Sequence, residues 1–596
     1  MRRSVATCCN RRRIGKMDAA CHAGRCRRCR RGAFHPRSKR PMAIFTYLTV
    51  AAMQQPPVGA LPSPGDTAIV AGYHVYDDDG GGTFRLELPD GAYEHRIDGG
   101  MVFDCVRSDT STRIGVWRRI DQGPVRTAWY GIGNVRAIGT EIAPVTATAE
   151  RIEKAIAAAG VGEAVIVSGS ITLDRTVHMS KTVQLKGEGE GWDRPVIKAG
   201  ENLKVMFTRE ASTRFWVTGI SFEGWVDPTA QTIGNVARGT AGIGTRTIGF
   251  VLFNDDTEAD LDCEFAFCRF YRMKVGILAM GRSVLTTRTH FSSCRYGIVV
   301  APSDTAGGET DSSVRALTFH ANRFHSCGSH YDLPDLSLVV EIEADGTGAA
   351  FDGLSEGDFV VFHKGSSTSD LLEGSVLVVG PSNTLYDRPW PGLFVAGAPD
   401  AAAWGALQIN VDAKLVGATL DRTSTCIMTV GLANRLKGGL ISDVYVDDCR
   451  RFYHGAMGEM RIAGVTGYRG YGTMIETPAE GLFETKPGIS GAVQGCQWTC
   501  NLDVTRSGAA MVIRSSGLVI ADNLIVDPAG SGITVAGQRC VVRGNVVRRP
   551  RSGGWGIDVN GVKCVVTGNV VDQPGSAGGV QVLGAANIST GNEVLV

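Results

Sequence analysis

Over the last eighty residues, apolar side chains alternate with polar ones in runs of only a few positions, such as Ile533 and Val535 or Ile557 and Val559, each broken by Gly, Pro or Asn. Period-two alternation in runs this short predicts strands with one buried face. The runs also repeat. Asparagine recurs at Asn523, Asn545, Asn569 and Asn592, and proline at Pro528, Pro550 and Pro574. A Gly before a β-branched residue recurs at Gly532, Gly556 and Gly579, and a closing glycine at Gly537, Gly561 and Gly584, all at intervals of 22 to 24 residues.

Short parallel strands with no helix between them stack only as rungs of a coil, each strand bonded to its counterparts roughly 4.8 Å above and below. The expectation is therefore an all-β chain, a right-handed parallel β-helix. The asparagine column has a reason in this fold, since Asn tolerates left-handed turns and its amide bonds to the Asn of the next rung. A leucine-rich solenoid would show a Leu ladder and a hexapeptide solenoid a period of six, and neither is present.

The template returns upstream. "THFSSC" (289–294) reappears as "NRFHSC" (322–327), one rung plus a polar loop later, and Phe267, Phe291 and Val547 each precede a Gly-Ile pair by six to nine residues. The coil is expected over 165–333 and 414–596, about 15 rungs and on the order of 70 Å. Between them, 334–413 loses the period. There "LSEGDFVVFHKG" and "EGSVLVVGPSNTLYDRPWPG" alternate like an inserted small β domain, with Trp390 and Trp404 as candidate sugar-stacking residues or simply its own core.

Ahead of the coil, 42–130 reads as a small N-terminal head of short strands, and 131–164 as a linker and capping helix. "TATAERIEKAIAAAG" (146–160) is amphipathic and ends in Gly, with Thr146 or Thr148 as its N-cap, and it would cover the first rung. "MAIFTYLTVAAM" (42–53) could be the core of a secretion signal and is read as the head's first element.

Charge changes the picture at one end. Residues 1–41 hold fourteen Lys or Arg and one acid, Asp18, for a net +13, whereas the other 555 residues hold 47 basic and 59 acidic side chains, a net −12. The leader is expected to be a disordered arm or an upstream extension before Met42. Its "CHAGRCRRC" matches no established zinc spacing, so no metal is assigned. The acidic body argues against nucleic acid, and no apolar run is long enough to span a membrane. Five of the sixteen Cys lie in the leader, and others, such as Cys540 and Cys564, fall one rung apart as buried apolar fillers rather than disulfides.

The head motifs "PGDTAIVAGYHVYDDDGGGTF" (64–84), "GVWRR" (115–119) and "WYGIG" (129–133), followed by a helix and a coil, resemble the phage tailspike and polysaccharide-depolymerase type of pectate-lyase-superfamily protein. That resemblance implies a pectin-lyase-like fold, a polysaccharide substrate, an extracellular or virion-associated setting and a homotrimer. It implies no cofactor, or Ca²⁺ if the reaction is a lyase's. A non-catalytic glycan-binding adhesin or virion structural protein is the alternative.

Outward carboxylates are the place to look for chemistry. In "ADLDCEFAF" (259–267), inward Leu261, Cys263, Phe265 and Phe267 would leave Asp260, Asp262 and Glu264 outside, about 6.8 Å apart, a separation suited to an inverting glycosidase pair. With Phe267 stacked on Phe291, Arg288 would lie beside Glu264, and His290 one position on. In "SDVYVDDC" (442–449), Asp443, Tyr445 and Asp447 would face out. Carboxylates outnumber bases in both, which favours a hydrolase over a lyase. "NDDTEAD" (254–260) is a third acidic cluster, a cation site or merely a turn. No nucleophile elbow, phosphate loop or His-Glu-x-x-His is present.

Overall fold

The computed structural model describes residues 41–88, 97–132, 147–189, 193–201, 203, 205–209, 213–225, 247–253, 263–280, 283–301, 314–327, 339–344, 359–362, 376–378, 413–415, 425–429, 436–449, 451–455, 457, 459–470, 472–477, 491–500, 508–551 and 553–596. The basic leader lies outside them. Among the described residues three long parallel sheets run side by side, with 14, 13 and 12 strands, all from Ala164 onward except the first strand of the 14, Val125–Arg126. One rung takes a strand from each, as in Cys263–Ala266, Arg269–Tyr271 and Val275–Met280. We refer to these as sheets one, two and three. Each strand pairs with the matching strand of the next rung, so the chain is a parallel β-helix, and its crossovers take the right-handed sense that parallel connections adopt. Among the described residues sheet two has 13 strands where about 15 rungs were expected, because loops between strands lengthen several rungs beyond 23 residues.

The repeated letters acquire physical roles. From Ser221 to Asp447 each sheet-two strand has three residues with the middle one inward, among them Phe222, Phe270, Phe291 and Phe324, whose rings stack at 5.3, 5.1 and 4.9 Å. Phe270, Phe291 and Phe324 lie against Gly249, Gly276 and Gly297 of sheet three. A Cβ at Gly276 would sit 2.9 Å from the Phe291 ring and one at Gly556 2.4 Å from Val571, which explains the Gly-Ile column. The asparagines form a ladder, with Asn523 Nδ2 donating to Asn545 Oδ1 (2.9 Å) and Asn545 Nδ2 to Asn569 Oδ1 (2.9 Å). The left-handed turn, however, belongs to the residue before each Asn: Asp522 (φ 56°), Gly544 (63°) and Gly568 (62°). Asn is thus chosen for its amide, while Gly or Asp takes the unfavourable backbone.

The eleven cysteines after the leader are all buried and unbridged. At the insert, strands Val339–Ala344, Phe359–Phe362, Val376–Val378 and Ala413–Leu415 form a small mixed sheet. The chain leaves the coil after Cys327 and rejoins it at Ile427, which pairs with Ile298 of the preceding rung.

Ahead of the coil, five strands make a separate sheet over Met53, Val70, Phe84, Phe103 and Trp117, and segment 42–53 supplies its first strand, Ile44–Thr49, and a short helix. Arg119 of "GVWRR" is buried between the rings of Phe84 and Trp129, 4.5 Å from each, and donates to the carbonyls of Gly80 and Gly100, which ties the head to the coil's first turn. The helix Thr148–Ala158 lays Ala149, Ile152, Ala155 and Ile156 on the core. Its N-terminus is not capped by its own threonine. Asp174, from the first rung, accepts from the Ala149 N–H (2.9 Å), and the Thr148 hydroxyl donates to the Thr172 carbonyl. The cap therefore comes from the surface that the helix covers.

Candidate functional site

Because the middle residue of each sheet-two strand points inward, its two neighbours point out and stack into two columns. The first runs Ser221, Arg269, His290, Arg323, Tyr445 and Thr466; the second runs Glu223, Tyr271, Ser292, His325, Asp447 and Tyr468. Along this face lies a groove of about 530 Å³, lined by Arg194, Arg269, Arg288, Arg323 and His290, with Glu223 the one carboxylate among the described lining residues.

Aromatic rings hold these arginines in place. The Arg269 and Arg272 guanidinium groups lie 5.0 and 4.7 Å from the Tyr271 ring, Arg288 lies 5.4 Å from Phe267 and Arg323 lies 5.2 Å from Tyr445. Stacking orients a guanidinium and leaves its edge for an anion. Burial, together with the charges of Arg269 and Arg323 on either side, pulls the His290 imidazole down to about 4. It is neutral at physiological pH, and its Nε2 is buried with no hydrogen-bond partner among the described residues.

One rung further, Asp447 is largely shielded and accepts three hydrogen bonds from Arg469 at 2.9 to 3.0 Å, while His325 Nδ1 stands 3.4 Å away without a hydrogen bond. Asp443 lies in the preceding left-handed corner (φ 54°) and reaches His320 Nδ1 at 3.4 Å. On sheet three, Glu476 is gripped by Arg451 (2.9 Å) and Arg514 (2.6 Å) beside His454. Burial opposes its charge, but the His454 hydrogen bond and the arginines hold its carboxyl well below the usual range, so it has no proton to give.

The predicted residues fall as follows. Arg288 and His290 line the groove, and Tyr445 and Asp447 continue the same face, so two clusters far apart in sequence become one surface. Glu264 is not beside Arg288. It sits on sheet one between Trp216 and Leu285, because Phe270, not Phe267, stacks on Phe291. Phe267 is a corner residue with φ 56° and 47% exposure, so reading it as inward displaced the register by three. Asp260, Asp262, Trp390 and Trp404, and the 254–260 cluster, lie outside the described residues. Arg269, Arg323, Glu223 and Tyr271 were missed. Setting "CRFYRM" (268–273) beneath "THFSSC" and "NRFHSC" would have revealed the column Arg269, His290, Arg323.

No protein-family model matches the chain, and no curated protein matches it. Among solved structures it is similar to the enzymatically active domain of tailspike protein 2 of bacteriophage CBA120, at 10% identity over 88% of this chain and 52% of that one, with a TM-score of 0.39. It is also similar to the gp42 tailspike of an Acinetobacter phage (9%, 93% and 74%, 0.40). A third is Pantoea stewartii WceF, described as a glycan biofilm modifying enzyme with a tailspike-like parallel β-helix fold (10%, 92% and 48%, 0.34). The chain thus spans about half the length of the CBA120 and Pantoea proteins. At these identities the likeness is one of fold, which the strand pairing already establishes.

Proposed function

We propose that the chain binds an acidic polysaccharide along the outward face of sheet two and cleaves it by β-elimination, outside the cell or on a virion. The observation that carries this reading is the stack Arg269, His290, Arg323, a neutral imidazole between two guanidinium groups. The arginines would hold a uronate carboxylate by bidentate hydrogen bonds and draw charge from the adjacent carbon. His290 would then take the C5 proton. The C–H electrons form the C4–C5 double bond, the C4–O bond breaks, and the departing oxygen receives the proton from the imidazolium, which returns His290 to its starting state. Tyr445 and Tyr271 would offer stacking faces to neighbouring sugars.

Hydrolysis needs two carboxylates about 5 to 9.5 Å apart. Among the described residues in and next to the groove, the carboxylates of this face, Glu223 and Asp447, are four rungs apart, roughly 19 Å. Among the described residues the same two carboxylates, set among arginines, do not make the oxygen cage that Ca²⁺ requires. The test is incubation of the purified protein with a panel of polyuronates and neutral glycans. New reducing ends with the ultraviolet absorbance of an unsaturated uronate support elimination. Reducing ends without that absorbance indicate a hydrolase, and retention without cleavage indicates an adhesin.

A further inference from the structure

The insert leaves and rejoins the coil between two cysteines. Cys327 ends one stretch of coil and Cys426 begins the next, and residues 328–425 lie between them in sequence where the preceding rung has only Arg295 and Tyr296 between the equivalent positions. Cys449 occupies the position of Cys327 on the following rung, and the Cys327 N–H donates to its sulfur at 3.3 Å. All three side chains are fully buried, and their three sulfur atoms lie within 4.8 Å of one another. We infer that Cys327, Cys426 and Cys449 form a binding site for a thiophilic d¹⁰ metal cation that pins the neck of the insert to the coil.

Chemistry and geometry support this. Metal–thiolate bonds of about 2.3 Å close a three-sulfur site with sulfurs about 4.0 Å apart, a spacing near that of the present sulfurs, which all lie within 4.8 Å of one another. A site of thiolates alone, in a dry interior, selects soft cations over Mg²⁺ or Ca²⁺. Three S–H groups, two of which now donate to the carbonyls of Phe291, His325 and Asp447, would lose their protons to solvent as three metal–sulfur bonds form. No electron is transferred. The reading of stacked cysteines as apolar filler suits Cys540 and Cys564, which bring two sulfurs from one column. Here the third sulfur comes from another strand, across the break in the chain.

The test uses the full chain produced in medium supplemented with Zn²⁺ or Cd²⁺ and held under a thiol-free reductant. Metal content by mass spectrometry is expected near one equivalent per chain, with cadmium–thiolate charge-transfer absorbance. Cys426→Ser and Cys449→Ser should each lose the metal, and Cys540→Ser should keep it. The inference is overturned if wild-type protein holds no stoichiometric metal, if both serine variants retain it, as leader thiols would allow, or if a Cys327–Cys426 disulfide is found instead. Should the variants fail to fold, a full-length chain with the five leader cysteines changed to serine decides: it should still hold one equivalent, and loss of the metal overturns the inference.

Discussion

The rungs around residues 263–327 and those after 511 are built on one plan and filled differently. In the middle, the inward ladder is aromatic, the corner column reads Cys268, Thr289 and Asn322, and the interval between equivalent residues jumps from 21 (Arg269 to His290) to 33 (His290 to Arg323). Near the end, the ladder is Ile525, Val547 and Val571, asparagine fills every corner, and the interval stays at 22 or 24. The outward column that carries Arg269, His290 and Arg323 in the middle carries Leu524, Val546 and Val570 at the end. Inward and corner positions satisfy the coil's packing and hydrogen bonding, which leaves the outward flanks open to other demands, and this one column is charged in the irregular rungs and apolar in the regular ones.

The largest expected effect is on chemistry. His290→Gln should lower polyuronate cleavage by about 10²- to 10⁴-fold, whereas Val546→Gln, in the same column of a later rung, should leave the initial rate unchanged. Equal losses from the two would break the distinction between the regions. Packing comes next. Phe324→Ala should cost about 3–5 kcal/mol and Val547→Ala about 2 kcal/mol, read from urea midpoints, because a larger side chain leaves a larger cavity. The corner ladder should be worth less: Asn545→Ala strands the Asn523 N–H and amide, at about 1–3 kcal/mol. Thr289→Ala in the middle, with no ladder to interrupt, should cost less than that.

The smallest effect is a shift in pH profile. His290 must be unprotonated to act, so the rate should rise with pH through about 4 and then level off. Arg323→Gln removes a charge that holds the imidazole down, and should move that limb upward toward the ordinary 6.5. The same group affects stability. The unfolded chain takes up this proton first, so the His290 contribution is present above about 6.5 and is lost as pH falls toward 4, and Arg323→Gln should narrow that window.

How much could be read from the letters follows the same division. The coil and its period were legible because Gly recurs where the backbone turns left-handed or a side chain of the next rung comes close, and Asn recurs where its amide continues the ladder. The register of the middle rungs was not, because Phe265, Phe267 and Phe270 look alike in sequence, and only the left-handed corner decides which of them turns outward. His290 and Tyr445 were each singled out, but their place in one column depended on bridging 98 intervening residues between Cys327 and Cys426. Arg269 and Arg323 escaped notice because a search for carboxylates passes over cations, and a groove for an anionic polymer is made chiefly of the latter.

Identical Gly-Asn-Val-Val segments at 544–547 and 568–571 have a genetic consequence. Excising residues 545–568 joins Gly544 to Asn569 without altering a single local neighbour, and Val570 then lands where Val546 stood. Unequal exchange between the two copies would shorten or lengthen the molecule by one whole turn, about 4.8 Å, while keeping the amide column continuous. The reach of the molecule is in that sense a heritable dial with fixed clicks.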